Sequence, residues 1–108
     1  MPKKALMTWG GWEGHEPKAT TDIFEEVLKN EGFDVEVHDN LDVLLDADKL
    51  SSQDLIVPCW TMSEISSDQC EALAAAVQSG VGFGGWHGGA GDAFRQSTPY
   101  QFIVGGQW

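Results

Sequence analysis

Val81-Gly82-Phe83-Gly84-Gly85-Trp86-His87-Gly88-Gly89 is the stretch on which the reading of the fold turns. Its first half reads as a short strand. Gly85-Trp86-His87-Gly88-Gly89 then has the G-x-nucleophile-x-G spacing of a nucleophile elbow, where a strand turns sharply into a helix and pushes one side chain out over the sheet edge. Glycines suit the flanking positions because bulky side chains would collide around the strained central residue. Here the central residue is histidine, a poor covalent nucleophile for most acyl transfers but a good proton carrier or metal ligand. Two readings follow: a catalytic turn whose chemistry has changed, or a Gly-rich strand-to-helix turn in which the histidine has no task.

Outward from this turn, short apolar runs alternate with helical patterns, the signature of β-α units and parallel strands. Ala5 to Trp9 reads as a first strand, and Pro17 suits the first turn of a helix that Gly32 ends at C′. Ile23, Phe24, Val27 and Leu28 form the apolar face expected to pack on the sheet, opposite Glu25, Glu26 and Lys29. Phe33 to His38 alternates like a half-exposed strand near an edge, and Leu41 to Leu50 reads as a short acidic helix or turn. Leu55 to Trp60 is continuously apolar, as in a strand covered on both faces, and Pro58 predicts that its pairing stops there. Ser66 and Gln69 form a capping box ahead of a helix that buries Cys70, Leu73 and Val77 and ends at Gly80.

Composition bounds the function. The 108 residues carry 42% hydrophobic content, enough for one modest core, and a formal net charge of −11 argues against nucleic acid and anionic membrane surfaces as partners. No run approaches the roughly 20 apolar residues needed to cross a bilayer, and the amino terminus lacks a secretory cleavage pattern. A cytoplasmic protein is the expectation. Cys59 and Cys70 lack C-x-x-C spacing and read as core residues.

Parallel strands joined by crossovers all point one way, so the loops after the first, third and fourth strands share the carboxyl edge, where open α/β sheets bind ligands. Trp12, Glu13 and His15 come from the first loop, Thr61, Met62, Ser63 and Glu64 from the third, and His87, Asp92 and Arg95 from the elbow and beyond. His87 and Glu64 are the acid-base candidates. Trp12, Trp60 and Trp86 are candidate walls for a sugar ring, with the alternative that they pack in the core. Asp92 and Arg95 are candidate substrate binders, with helix capping and a structural ion pair as their alternatives. His15, His87 and Glu13 are candidate ligands for zinc or another divalent transition metal, although no cofactor is required by the sequence. His38, beside Asp39, reads as making a local surface hydrogen bond.

Trp9-Gly10-Gly11-Trp12-Glu13-Gly14-His15-Glu16-Pro17, Trp60-Thr61-Met62-Ser63-Glu64-Ile65-Ser66 and His87-Gly88-Gly89-Ala90-Gly91-Asp92-Ala93-Phe94-Arg95 together resemble the trehalose-utilisation (ThuA-like) family. Tyr100-Gln101-Phe102 and Gly105-Gly106-Gln107 extend the likeness. The resemblance implies a three-layer α/β/α sandwich with a mostly parallel sheet, class I glutamine amidotransferase-like and flavodoxin-like. Residues 1–108 are then expected to be the amino-terminal half of a single domain. It places His87 where amidotransferases carry their cysteine, so glutaminase activity is not expected. It also implies a carbohydrate-metabolism protein acting on a disaccharide or 3-keto sugar by acid-base or metal-assisted chemistry, and exposed strand edges with an uncovered sheet face predict a homo-oligomer. The matching positions are His15, Glu64, His87 and Asp92. The alternatives are a non-catalytic sugar-binding or assembly protein on the same scaffold, or an inactive fragment.

Overall fold

The structure is a computed structural model that describes residues 2–91 and 93–106. Four strands, β1 (Lys4–Gly11), β2 (Asp34–His38), β3 (Leu55–Thr61) and β4 (Gly82–Phe83), form one sheet in the order β2-β1-β3-β4 with every pair parallel. Helices α1 (Pro17–Asn30), α2 (Ala47–Ser51), α3 (Ser67–Gln78) and α4 (Thr98–Val104) occupy the connections and the carboxyl-terminal part. The expected α/β layering holds, with the strand order of flavodoxin-like sheets. β2 lies on the edge, as its alternation predicts, and β1 is paired on both sides.

Strand alternation distributes the core over two faces. Leu6, Ile56 and Trp60 point to the side where Leu50, Cys70, Leu73, Phe94 and Tyr100 pack, contributed by α2, α3 and the carboxyl-terminal segment. Residues 57, 59 and 61 alternate to the opposite face, where the Cys59 thiol lies 3.3 Å from Thr20 Oγ1 and 3.5 Å from the Pro17 carbonyl oxygen of α1. Both cysteines are free and buried, as expected. Burying side chains such as Leu6, Leu50 and Leu73 contributes on the order of 2 kcal/mol each before chain entropy is counted.

Local signals account for the ends of the helices. Ser66 and Gln69 form both hydrogen bonds of the capping box, at 3.1 and 2.9 Å. Gly32, at φ 94°, terminates α1 in the left-handed conformation that glycine adopts without penalty.

Three expectations need correction. α1 packs through Pro17 and Thr21, which are buried, and through the half-buried Leu28, whereas Ile23, Phe24 and Val27 are 61%, 42% and 46% exposed. The inward stripe is the one that brings Thr20 against Cys59, so the more apolar stripe is rotated away from the sheet. β3 keeps pairing with β1 through Pro58 as far as Gly11↔Thr61. Pairing with β4 stops at Ile56↔Phe83, because parallel-strand residues turn alternately to either neighbour and Pro58, which has no N–H, faces β4. β4 itself is only two residues long, shorter than the Val81–Gly85 run suggests.

Candidate functional site

Thr61, the last residue of β3, is completely buried and joins the loops that meet at the carboxyl edge. Its carbonyl oxygen accepts a hydrogen bond from the Trp12 backbone N–H at 3.1 Å. Its hydroxyl donates to the Gly88 carbonyl oxygen at 2.6 Å and lies 2.9 Å from His15 Nδ1. One short side chain thereby links the loop after β1 to the turn after β4. The approach depends on two glycines. Gly11 sits at φ 83°, and a Cβ there would run into the Thr61 carbonyl oxygen. A Cβ on Gly88 would come within 3.1 Å of His15 Nδ1.

His15 ends a short 3-10 turn, Glu13–His15, and its ring is half-buried. The Trp12 indole meets it edge-on, with ring centroids 4.8 Å apart at 70°. Trp12 is 52% exposed, so an imidazole and an open aromatic surface lie together at this edge.

His87 begins a single wide turn, His87–Gly91, in which the Trp86 carbonyl oxygen accepts from the N–H groups of Gly89, Ala90 and Gly91 at 3.1, 2.7 and 3.3 Å. The expected strain at the central residue is absent. Among the described residues the non-glycine positions with positive φ are Glu16, Met62, Ser63 and Phe94, and His87 is not one of them. The turn accommodates its curvature by wide hydrogen bonding to one carbonyl, and among the described residues the next helix is α4, beginning at Thr98. His87 is exposed and lines a cleft of about 420 Å³ with Phe83, Trp86, Ile103 and Val104. Tyr100 braces the turn from beneath, its hydroxyl donating to the Ala90 carbonyl oxygen at 2.7 Å.

The backbone strain lies instead in the loop after β3. Met62 and Ser63 are consecutive left-handed residues at φ 58° and 62°, costing on the order of 1 kcal/mol each. The Met62 carbonyl oxygen accepts from Phe94 N–H at 3.0 Å, and Met62 bridges Ala93 in parallel fashion, which holds the loop in place.

The remaining candidates divide. Glu64 lines a second cleft of about 310 Å³ with Ile65, Ser66, Cys70, Phe94 and Ser97, a different cleft from the one lined by His87, so the two acid-base candidates are not assembled into one pocket. Trp60 is only 9% exposed and belongs to the core, so it supplies no sugar wall. Its Nε1 has no hydrogen-bond partner among the described residues. Trp86 is half-buried and stacks on Phe24 at 4.4 Å and 22°. Arg95 is exposed, and its carbonyl oxygen accepts from Gln101 Nε2 at 2.9 Å. Asp92 lies outside the described residues. His38 makes the local surface bond expected of it, to Glu36 Oε2 at 2.7 Å rather than to Asp39. Glu13 is exposed, and among the described residues no three His, Cys, Asp or Glu side chains converge to hold a metal ion. Among the described residues, Glu13, His15 and His87 are thus not gathered into one ligand cluster, and His15 turns its Nδ1 to Thr61.

Sequence reasoning places Thr61 at this edge without giving it a role, and it gives Tyr100 no part in the site. A threonine ending a strand is ordinary for its β-propensity, so nothing marks Thr61 as a hub. Tyr100 follows Ser97-Thr98-Pro99, a helix-start signal that points to α4, but its bond to Ala90 is a tertiary contact.

No helix among the described residues is long and apolar enough to cross a membrane. Neither a curated protein nor a solved structure matches the chain. The family model described as trehalose utilisation (ThuA) matches residues 4–108, from the start of β1 onward. With this match over nearly the whole chain and an all-parallel four-stranded sheet, the chain belongs to the ThuA trehalose-utilisation family.

Proposed function

We propose that this protein acts on a disaccharide or its 3-keto derivative by acid-base chemistry at the carboxyl edge of the sheet. The observation that carries the reading is the half-buried His15 imidazole, held by Thr61 beside the turn that bears His87 and edge-on to the exposed Trp12. An exposed indole suits the apolar face of a sugar ring, and a positioned imidazole suits proton transfer next to a carbonyl, a contribution of about 10²- to 10⁴-fold. Glutaminase chemistry is no part of this reading, because Cys59 is buried within β3 against α1 and the turn carries His87 instead. The protein is read as cytoplasmic and homo-oligomeric, the latter supported by the exposed Ile23, Phe24 and Val27 of α1.

The test is turnover of 3-keto-disaccharides and their parent sugars, followed by proton NMR, for the protein and for His15→Asn and His87→Ala. Turnover that falls at least about 100-fold in one of the variants supports acid-base catalysis. Turnover at the parent rate in both, or none in the unaltered protein, overturns it. The separation of His87 from Glu64 favours a second reading, a sugar-binding protein without catalysis. Calorimetric binding of the sugar without conversion would be its signature.

A further inference from the structure

We infer that Thr61 fixes His15 in the tautomer protonated on Nδ1, leaving Nε2 as the bare, proton-accepting nitrogen at this edge. Thr61 is then a positioning residue for His15, and His15 rather than His87 is the base. A threonine hydroxyl has one hydrogen and two lone pairs, whereas a backbone carbonyl oxygen only accepts. The Gly88 carbonyl oxygen lies 2.6 Å from Thr61 Oγ1, so the hydroxyl hydrogen is committed there. Toward His15 Nδ1, at 2.9 Å, the hydroxyl offers only a lone pair, and Nδ1 must supply the hydrogen. A neutral imidazole carries a single N–H, so Nε2 is left with its lone pair.

The surroundings prevent the hydroxyl from adopting the other arrangement. Thr61 is fully buried, so water does not compete for its hydrogen. Its backbone is held by pairing of β3 with Gly11 of β1 and by the Trp12 N–H. In the opposite tautomer, either Nδ1 would face a lone pair or the Gly88 carbonyl oxygen would lose its donor. One lost bond at such a site disfavours that tautomer about tenfold or more. What Nε2 can accept is a hydrogen from a sugar hydroxyl or from the carbon next to a ketone. The role of base rests on the proposed acid-base function; the tautomer does not.

The test is the tautomer itself, read from long-range proton–nitrogen NMR spectra of protein labelled with ¹⁵N at its three histidines, recorded with the imidazoles neutral. The His15 signals are assigned by their loss in His15→Asn. The expected result is a pyrrole-type Nδ1 and a pyridine-type Nε2 for His15. Thr61→Ser keeps that pattern, because the hydroxyl is retained, and Thr61→Val loses it. An Nε2–H tautomer at His15 in the unaltered protein overturns the inference even if Thr61→Val does not fold, and so does a Thr61→Val variant that folds and keeps the Nδ1–H pattern. A His15 tautomer as expected, in a protein that turns over no keto-sugar, would overturn the proposed function and leave the tautomer standing.

Discussion

The hydroxyl of Tyr100 donates to the carbonyl oxygen of Ala90 at 2.7 Å, tying α4 to the turn that begins at His87. Among the described residues the other backbone donor to that oxygen is the distant Ala93 N–H at 3.4 Å. Tyr100→Phe is expected to cost about 1–2 kcal/mol, lowering the thermal midpoint by roughly 4–15 °C for a domain of this size. Circular dichroism melting of the two proteins checks it.

The same residue makes a prediction at high pH. Burial pushes the Tyr100 phenol well above its ordinary value of 10. The unfolded chain therefore releases this proton at lower pH than the folded one. The resulting stabilisation is complete below about pH 10 and is lost progressively as pH rises above it. Tyr100 is the only tyrosine in the chain, so tyrosinate absorbance reports it alone. The absorbance is expected to appear together with loss of the circular dichroism signal. Tyrosinate forming near pH 10 in a still-folded protein would contradict the burial.

Glu36 governs a smaller effect in acid. Its hydrogen bond from His38, and then that from Lys49, hold its carboxyl below the ordinary 4.5. The stabilisation is present above that value and is lost as pH falls through the lower folded value. Glu36→Gln is expected to flatten the fall in stability below about pH 4.5, measured by urea denaturation as a function of pH.

Removal of the α3 cap tests local structure alone. Ser66→Ala takes away the acceptor for the Gln69 N–H and is expected to cost about 1 kcal/mol in denaturant unfolding, while Ser67→Ala, one residue inside the exposed first turn, stays within about 0.5 kcal/mol.

Two glycine substitutions separate crowding from a general effect of the added methyl group. Gly88→Ala places a methyl group 3.1 Å from His15 Nδ1 and is expected to cost about 1–3 kcal/mol. Gly106→Ala meets nothing within 4 Å and is expected to stay within about 0.5 kcal/mol. Equal destabilisation by both, in urea titrations, would refute the close packing of His15 on the turn.

The parallel sheet, α1 and α3 are legible in the sequence because their signals are local: a continuous apolar run at Leu55–Val57, a capping pair at Ser66 and Gln69, and a terminating Gly32. The inward face of α1 is not. Thr20 and Thr21 look polar, yet a threonine side chain fits against Cys59, and hydrophobicity alone points to Ile23, Phe24 and Val27. Pro58 announces a break in pairing but not its side, which depends on strand register. At the site, topology is enough to bring His15 toward the elbow turn. It cannot divide Glu64 from His87, because both follow strands at the same edge and only the course of the loops sends them to different clefts. Thr61 is placed at this edge by topology, but its linking task stays hidden because it is set by three segments distant in sequence.

The pairing order β2-β1-β3-β4 also constrains how the chain assembles during synthesis. Among the described residues every ladder joins strands separated by a crossover, and no hairpin serves as a short-range nucleus. β1 is made first, but its second edge stays unpaired until residues 55–61 have left the ribosome. The emerging chain therefore carries the apolar Ala5-Leu6-Met7 run beside an open edge while the next fifty residues are added, the interval in which a strand pairs with a neighbouring chain.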